Sequence, residues 1–145
     1  MKPCITLSAL LLLFCVGAQA EIISIGNDEL QQLTKKGVTL VDVRTAGEWD
    51  KTGVVSGTQL VTLMDESGRS DPELWKSQMS KVADPSQPVI LICRSGNRSS
   101  VGAKLLEQQN PSRKIYNVRD GMNGWQRAAL PTISVKKNLE TAAIR

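Results

Sequence analysis

The chain of 145 residues contains no histidine. That excludes Cys–His and Ser–His–Asp catalysis and every metal site built on imidazole. Cysteine is nearly as scarce, with three in the chain, at positions 4, 15 and 93. The first two fall in a segment that reads as a secretory signal peptide. Met1-Lys2 supplies a positive end, Leu10 to Val16 a short apolar run, and Ala18-Gln19-Ala20 a small-x-small cleavage signature. The run is short for a spanning helix and no basic stop-transfer cluster follows, which favours cleavage over a membrane anchor. Phe14 before Cys15 speaks against a lipobox. Residues 1–20 are thus expected to be removed, with export to the periplasm or beyond, leaving Cys93 without a partner for an intramolecular disulfide or a thiolate zinc cluster. A lone thiol in an exported protein is flagged as reactive.

The remaining length suits one domain with a real core, expected over residues 21–133. Neither sign of charge is in large excess. The chain has 18 Lys and Arg against 14 Asp and Glu, and loss of Lys2 leaves a net charge near +3. That suits small anions and gives no case for nucleic-acid binding. There are no repeats and no low-complexity linker.

Short apolar runs alternate with amphipathic segments. Strands are expected at Glu21–Ile25, Val38–Val43, Gln59–Leu63, Val89–Ile92 and Lys114–Val118. Helices are expected after Asn27-Asp28, after Thr45, after Asp71-Pro72, after the loop that follows Cys93, and from Gly121. Residues 134–145 read as a polar C-terminal tail, frayed or a loosely docked helix. Every connection is long enough for a right-handed crossover, so the fold class is α/β, with a mainly parallel sheet and helices on both faces. Ligands of such sheets bind beyond the carboxyl ends of the strands, an edge that Arg44, Cys93 and Arg119 should share.

The most informative stretch is Val89 to Ser100. A buried strand ends in Cys93, and Arg94, Ser95, Gly96, Asn97, Arg98 and Ser99 form a small-residue loop leading into a helix. N–H groups at a helix start and its dipole favour negative charge above the cysteine, and the same field favours thiolate over thiol. Cys93 is therefore the candidate nucleophile. With four residues between it and Cys93, Arg98 can curl over the same anion pocket as a bidentate fork, and Arg94 is a second cation. Ser95 and Ser99 offer hydroxyl donors, with Ser99 alternatively a helix cap, and Gly96 adds an N–H to the nest. Asp42, Arg44 and Glu48 are expected to give structural support, with an Arg44–Glu48 ion pair pinning the loop. Trp49, Trp75 and Trp125 read as core or pocket wall.

Asp42-Val43-Arg44 with Glu48-Trp49, Gly53-x-x-x-Gly57, the Cys93–Ser99 loop and Gly121-x-x-Gly124-Trp125 occur in an order and spacing that resembles single-domain rhodaneses, a family of sulfurtransferases. The resemblance spans roughly Ile25 to Pro131. It implies a five-stranded parallel sheet and a persulfide carried on Cys93. One departure stands out: Gly53-Val54-Val55-Ser56-Gly57-Thr58 replaces the family's frequent Gly-His-Ile-x-Gly-Ala.

On this reading the Cys93 thiolate takes a sulfane sulfur from thiosulfate or a similar small anionic donor and passes it to cyanide or a thiol. No metal or organic cofactor is required. Two loop arginines favour a dianionic donor over mercaptopyruvate. A non-turnover persulfide carrier or sulfur sensor would use the same loop. A phosphatase or arsenate reductase of the Cys-x5-Arg type would need a loop one residue longer and a general-acid aspartate.

Overall fold

In a computed structural model the described residues are 21–142, so the signal peptide assigned to residues 1–20 lies outside them. Strands β1 (Glu21–Ile25), β2 (Thr39–Asp42), β3 (Gln59–Leu60), β4 (Val89–Ile92) and β5 (Lys114–Val118) form one sheet in the order β1-β5-β4-β2-β3. All four pairings are parallel. Among the described residues six helices accompany them: α1 (Asn27–Lys35), α2 (Ala46–Thr52), α3 (Pro72–Val82), α4 (Asn97–Gln109), α5 (Gly121–Arg127) and α6 (Val135–Ala142). The α/β class, the five parallel strands and the helices on both faces are as the sequence implied.

Strand parity divides the core. Leu40, Ile90, Ile92 and Val118 meet Leu30 of α1 and Met122 and Trp125 of α5 on one face. Val41, Val89, Leu91 and Ile115 meet Trp75 and Met79 of α3 and Leu106 of α4 on the other. Successive strand side chains point to opposite faces, and Cys93 continues the series of Val89 and Leu91. Its sulfur is therefore delivered to the α4 side, at the carboxyl end of the middle strand.

Local signals explain the helix starts. Thr45 Oγ1 accepts the Glu48 N–H at 3.4 Å, while Glu48 Oε2 accepts the Thr45 N–H at 3.1 Å, a reciprocal cap. Asp71 caps α3 through the Leu74 N–H at 3.0 Å, with Pro72 at the first helical position. At α1 the capping residue is Gly26, not Asn27-Asp28. Asn27 is already helical, and its amide is committed to the Gly124 carbonyl at 3.1 Å, which ties α1 to α5.

One further difference concerns the β3 edge of the sheet, while the C-terminus takes the second of its two expected forms, a docked helix. β3 is shorter than the expected Gln59–Leu63. Past Leu60 the chain still donates from Val61 to the Asp42 carbonyl and from Leu63 to the Val43 carbonyl, but β2 turns away toward α2 and no regular ladder continues. The polar C-terminal segment is docked. Ile133 forms an antiparallel bridge with Val54. Asn138, 1% exposed, accepts the Gly57 N–H and donates to the Thr58 carbonyl, each at 2.8 Å. One amide thus satisfies both polar groups of a turn, as a paired strand would.

Asn138→Ala removes both hydrogen bonds and strands a backbone donor and acceptor, so it is expected to destabilise the domain by about 2 kcal/mol. In urea unfolding the midpoint should fall with an unchanged slope.

Candidate active site

β4 is apolar and wholly buried, and the chain leaves it at Cys93, 1% exposed, to reach α4 within three residues. Gly96 caps α4 at φ +87°, in the left-handed region that glycine adopts without strain. The position is closed to side chains for a second reason: a Cβ there would strike the carbonyl of Arg119. From this turn the Gly96 N–H points at Cys93 Sγ, 3.2 Å away. The Ser99 hydroxyl, fully buried in the first turn of α4, lies 3.3 Å from the same sulfur and 3.1 Å from the Gly96 carbonyl. Its single hydrogen serves one acceptor at a time. An anionic sulfur draws it away from the carbonyl, which keeps two other donors, the Ser100 N–H at 3.0 Å and the Asn117 amide at 3.3 Å. Two donors can thus converge on sulfur without leaving a buried group unpaired.

The loop is held from below by the β5–α5 turn. Met122 donates its N–H to the Cys93 carbonyl at 2.8 Å, and Asn123 donates to that of Arg94 at 2.9 Å. Gly121, at φ +54°, permits this contact, because a Cβ there would collide with the Cys93 carbonyl. The Gly121-x-x-Gly124-Trp125 motif thus serves as the floor of the loop, a role its position in sequence does not announce. The adjacency of β4 and β5 in the sheet creates it.

The arginines divide into two kinds. Arg44, 1% exposed, is paired with the equally buried Asp42 at 2.7 Å, not with the carboxylate of Glu48. Residues 42 and 44 extend from one strand end on the same side, which brings the guanidinium back over Asp42. Its remaining hydrogens go to Thr52 Oγ1 at 2.7 Å, the Gly53 carbonyl at 2.9 Å and the main-chain carbonyl of Glu48 at 3.4 Å, so Arg44 grips α2 through to its far end. Glu48 instead receives Arg98, in a fork of 2.8 and 2.6 Å. The structure therefore places the Arg98 guanidinium on Glu48, where the sequence suggested a position over the sulfur. Arg94 is exposed and its side chain makes no hydrogen bond among the described residues.

Ser95 is half-buried, and Asn97 is exposed at the first position of α4, its carbonyl accepting from Ser100 Oγ at 2.8 Å. Arg119 shares the carboxyl edge of the sheet, but its guanidinium lies toward Gly26, 3.8 Å from the Asp120 carboxylate, and lines a different cleft from Arg94. Trp75 is core, donating to the Val61 carbonyl at 3.3 Å, and Trp125 donates to that of Pro131 at 3.0 Å. Among the described residues no group of acidic residues and Cys93 is arranged to hold a metal ion.

A parallel α/β sheet with a cysteine at the end of its middle strand, ringed by donors from the next helix start, defines the class of the domain. A profile of the rhodanese-like domain matches residues 26–128, and the chain belongs to that family. Rv0390 from M. tuberculosis has the same fold, with a TM-score of 0.61 and 25% identity over 74% of this chain and 96% of that one. The polysulfide-sulfur transferase homodimer from Wolinella succinogenes shares the fold with a TM-score of 0.59 at 23% identity, over 81% of this chain and 82% of that one. Thiosulfate sulfurtransferase GlpE of Actinobacillus pleuropneumoniae is 42% identical over 48 residues, 33% of this chain and 44% of that protein. The match therefore spans less than half of that relative.

The Arg98 guanidinium holds the Glu48 carboxyl down from its ordinary 4.5 to about 2, with the Thr45 N–H adding to the effect and partial burial opposing it. A carboxyl depressed on folding stabilises the fold in full above its unfolded value, and that stabilisation is lost as pH falls through the folded value. Glu48→Gln should accordingly unfold at lower urea than the parent at neutral pH. The gap should close between pH 4.5 and about 2.

Proposed function

We propose that the protein is a sulfurtransferase that moves a sulfane sulfur from thiosulfate, or a donor like it, through a persulfide on Cys93 to a thiophilic acceptor such as cyanide or a thiol. The observation that carries this reading is the convergence of the Gly96 N–H and the Ser99 hydroxyl on one sulfur at the carboxyl end of the central strand. With residues 1–20 as a cleaved signal, the reaction takes place in the periplasm.

The thiol proton leaves to solvent, since there is no histidine to take it. Cys93 Sγ attacks the outer sulfur of thiosulfate. The S–S bond of the donor breaks, and its electron pair departs on sulfite. The persulfide that remains ends in an anionic sulfur, which the first-turn donors of α4 and the unpaired Arg94 stabilise. An acceptor nucleophile then attacks that terminal sulfur, and the pair of the broken bond returns to Sγ. The Arg98–Glu48 fork keeps the loop closed around the sulfur. The four-residue spacing and this engaged arginine support sulfur transfer over ester hydrolysis, in which a free guanidinium must meet the transferring group.

Intact-mass measurement after thiosulfate treatment should show the gain of one sulfur atom on the mature protein and none on Cys93→Ala. Thiocyanate production from thiosulfate and cyanide should vanish in the same variant. Ser99→Ala keeps the nucleophile and loses one donor, so turnover should fall roughly a hundredfold. No sulfur on Cys93 would overturn the proposal, and loading without turnover would assign the protein as a carrier.

A further inference from the structure

Beside the Cys93 loop a cleft of about 550 Å³ opens between α2, the turn at Asp65 and Glu66, and the side chain of Arg94. Three cations and three anions line it: Lys51, Arg94 and Arg98 against Glu48, Asp65 and Glu66. Three of the six are already engaged. Arg98 and Glu48 hold each other at 2.6 Å, and Asp65 accepts from Arg69 at 3.0 Å and from Ser67 Oγ at 2.7 Å. The side chains of Lys51, Arg94 and Glu66 have neither hydrogen bond nor ion pair among the described residues. Gly47 helps to place the last of these. A Cβ at 47 would lie 3.1 Å from Glu66 Oε1, so the glycine lets that carboxylate settle against the first turn of α2. Lys51 follows Gly47 by four residues and so rises from the same face of the helix.

The free groups are two cations and one anion, on separate elements around one cavity. A cleft with balanced charge has little electrostatic bias toward a dianion. It does suit a molecule carrying both signs, because each free group then finds a partner. We infer that this cleft is the acceptor subsite, and that it takes a small thiol bearing carboxylate and ammonium groups, an amino-acid or short-peptide thiol. The carboxylates meet Lys51 and Arg94, and the ammonium meets Glu66. The inference rests on the sulfur-transfer reading. In the transfer step the acceptor thiol loses its proton to solvent and its sulfur attacks the terminal persulfide sulfur. A new S–S bond forms, the old one breaks, and Cys93 recovers its electron pair.

Two acceptors test the assignment: glutathione, a tripeptide thiol with one ammonium and two carboxylates, and the uncharged 2-mercaptoethanol. The ratio of kcat/KM for glutathione to that for 2-mercaptoethanol should drop about fivefold in Lys51→Gln and again in Glu66→Gln, through the KM of glutathione, with recovery in Lys51→Arg. S-methylglutathione, which cannot accept sulfur, gives a readout free of turnover. By calorimetry it should bind the parent protein and bind each variant about fivefold more weakly. An unchanged ratio, a rise in the KM of thiosulfate in its place, or analogue binding indifferent to both substitutions would overturn the assignment. If Cys93 takes up no sulfur while the analogue still binds in a Lys51-dependent way, the sulfur-transfer reading fails and the zwitterion site stands.

Discussion

The site depends on the contact of two backbone turns at the carboxyl ends of β4 and β5. At Gly96 a side chain would strike the Arg119 carbonyl, and at Gly121 one would strike the Cys93 carbonyl. The turns lie too close for anything but main chain between them. Their contact is secured by N–H groups at the start of α5 donating to the carbonyls of Cys93 and Arg94. The direction of the Gly96 N–H, and with it the position of the donor that meets sulfur, is therefore set by backbone geometry. Side-chain rotamers have little influence on it, which is what a preorganised electrostatic site requires.

A second layer of support runs through charges. Asp42 and Arg44 are buried together at the end of β2, and Arg44 extends to Thr52 and Gly53 at the end of α2. Breaking such a pair by removing one partner commonly costs about 3–5 kcal/mol, because the other charge is left alone in the interior. With α2 anchored in this way, Glu48 at its start both completes the cap on Thr45 and grips Arg98 in the first turn of α4. A continuous path of ion pairs and one helix thus joins β2 to the loop after β4. Of the four arginines near this edge, two are spent on architecture, Arg119 turns aside, and Arg94 is left to face solvent beside the loop.

Much of this was legible in the chain itself. Five apolar runs separated by capped helices specify a parallel sheet, and the caps at Thr45 and Asp71 sit where residue chemistry puts them. The Cys93 loop is recognisable because a buried strand running into Arg-Ser-Gly-Asn-Arg has no packing explanation. Pairing was harder to read. Arg44 and Glu48 are four apart, the separation of helical neighbours, but residue 44 precedes the helix and its side chain follows strand parity back to Asp42. The partner of Glu48 lies fifty residues on, and only the sheet order brings it near. For a similar reason the docking of α6 was legible only as one of two alternatives. A segment with one functional amide among polar residues resembles solvated chain until the turn it satisfies is in view.

The burial of Cys93, the one cysteine among the described residues, limits how its thiol can be oxidised. A disulfide between two molecules needs the sulfurs to approach to about 2.05 Å. A sulfur that is 1% exposed beneath a closed loop cannot present itself to the equally buried sulfur of a second copy. Folding thus filters oxidants by size. Small reagents can enter, while another folded chain is turned away, so burial keeps Cys93 out of disulfides between folded copies.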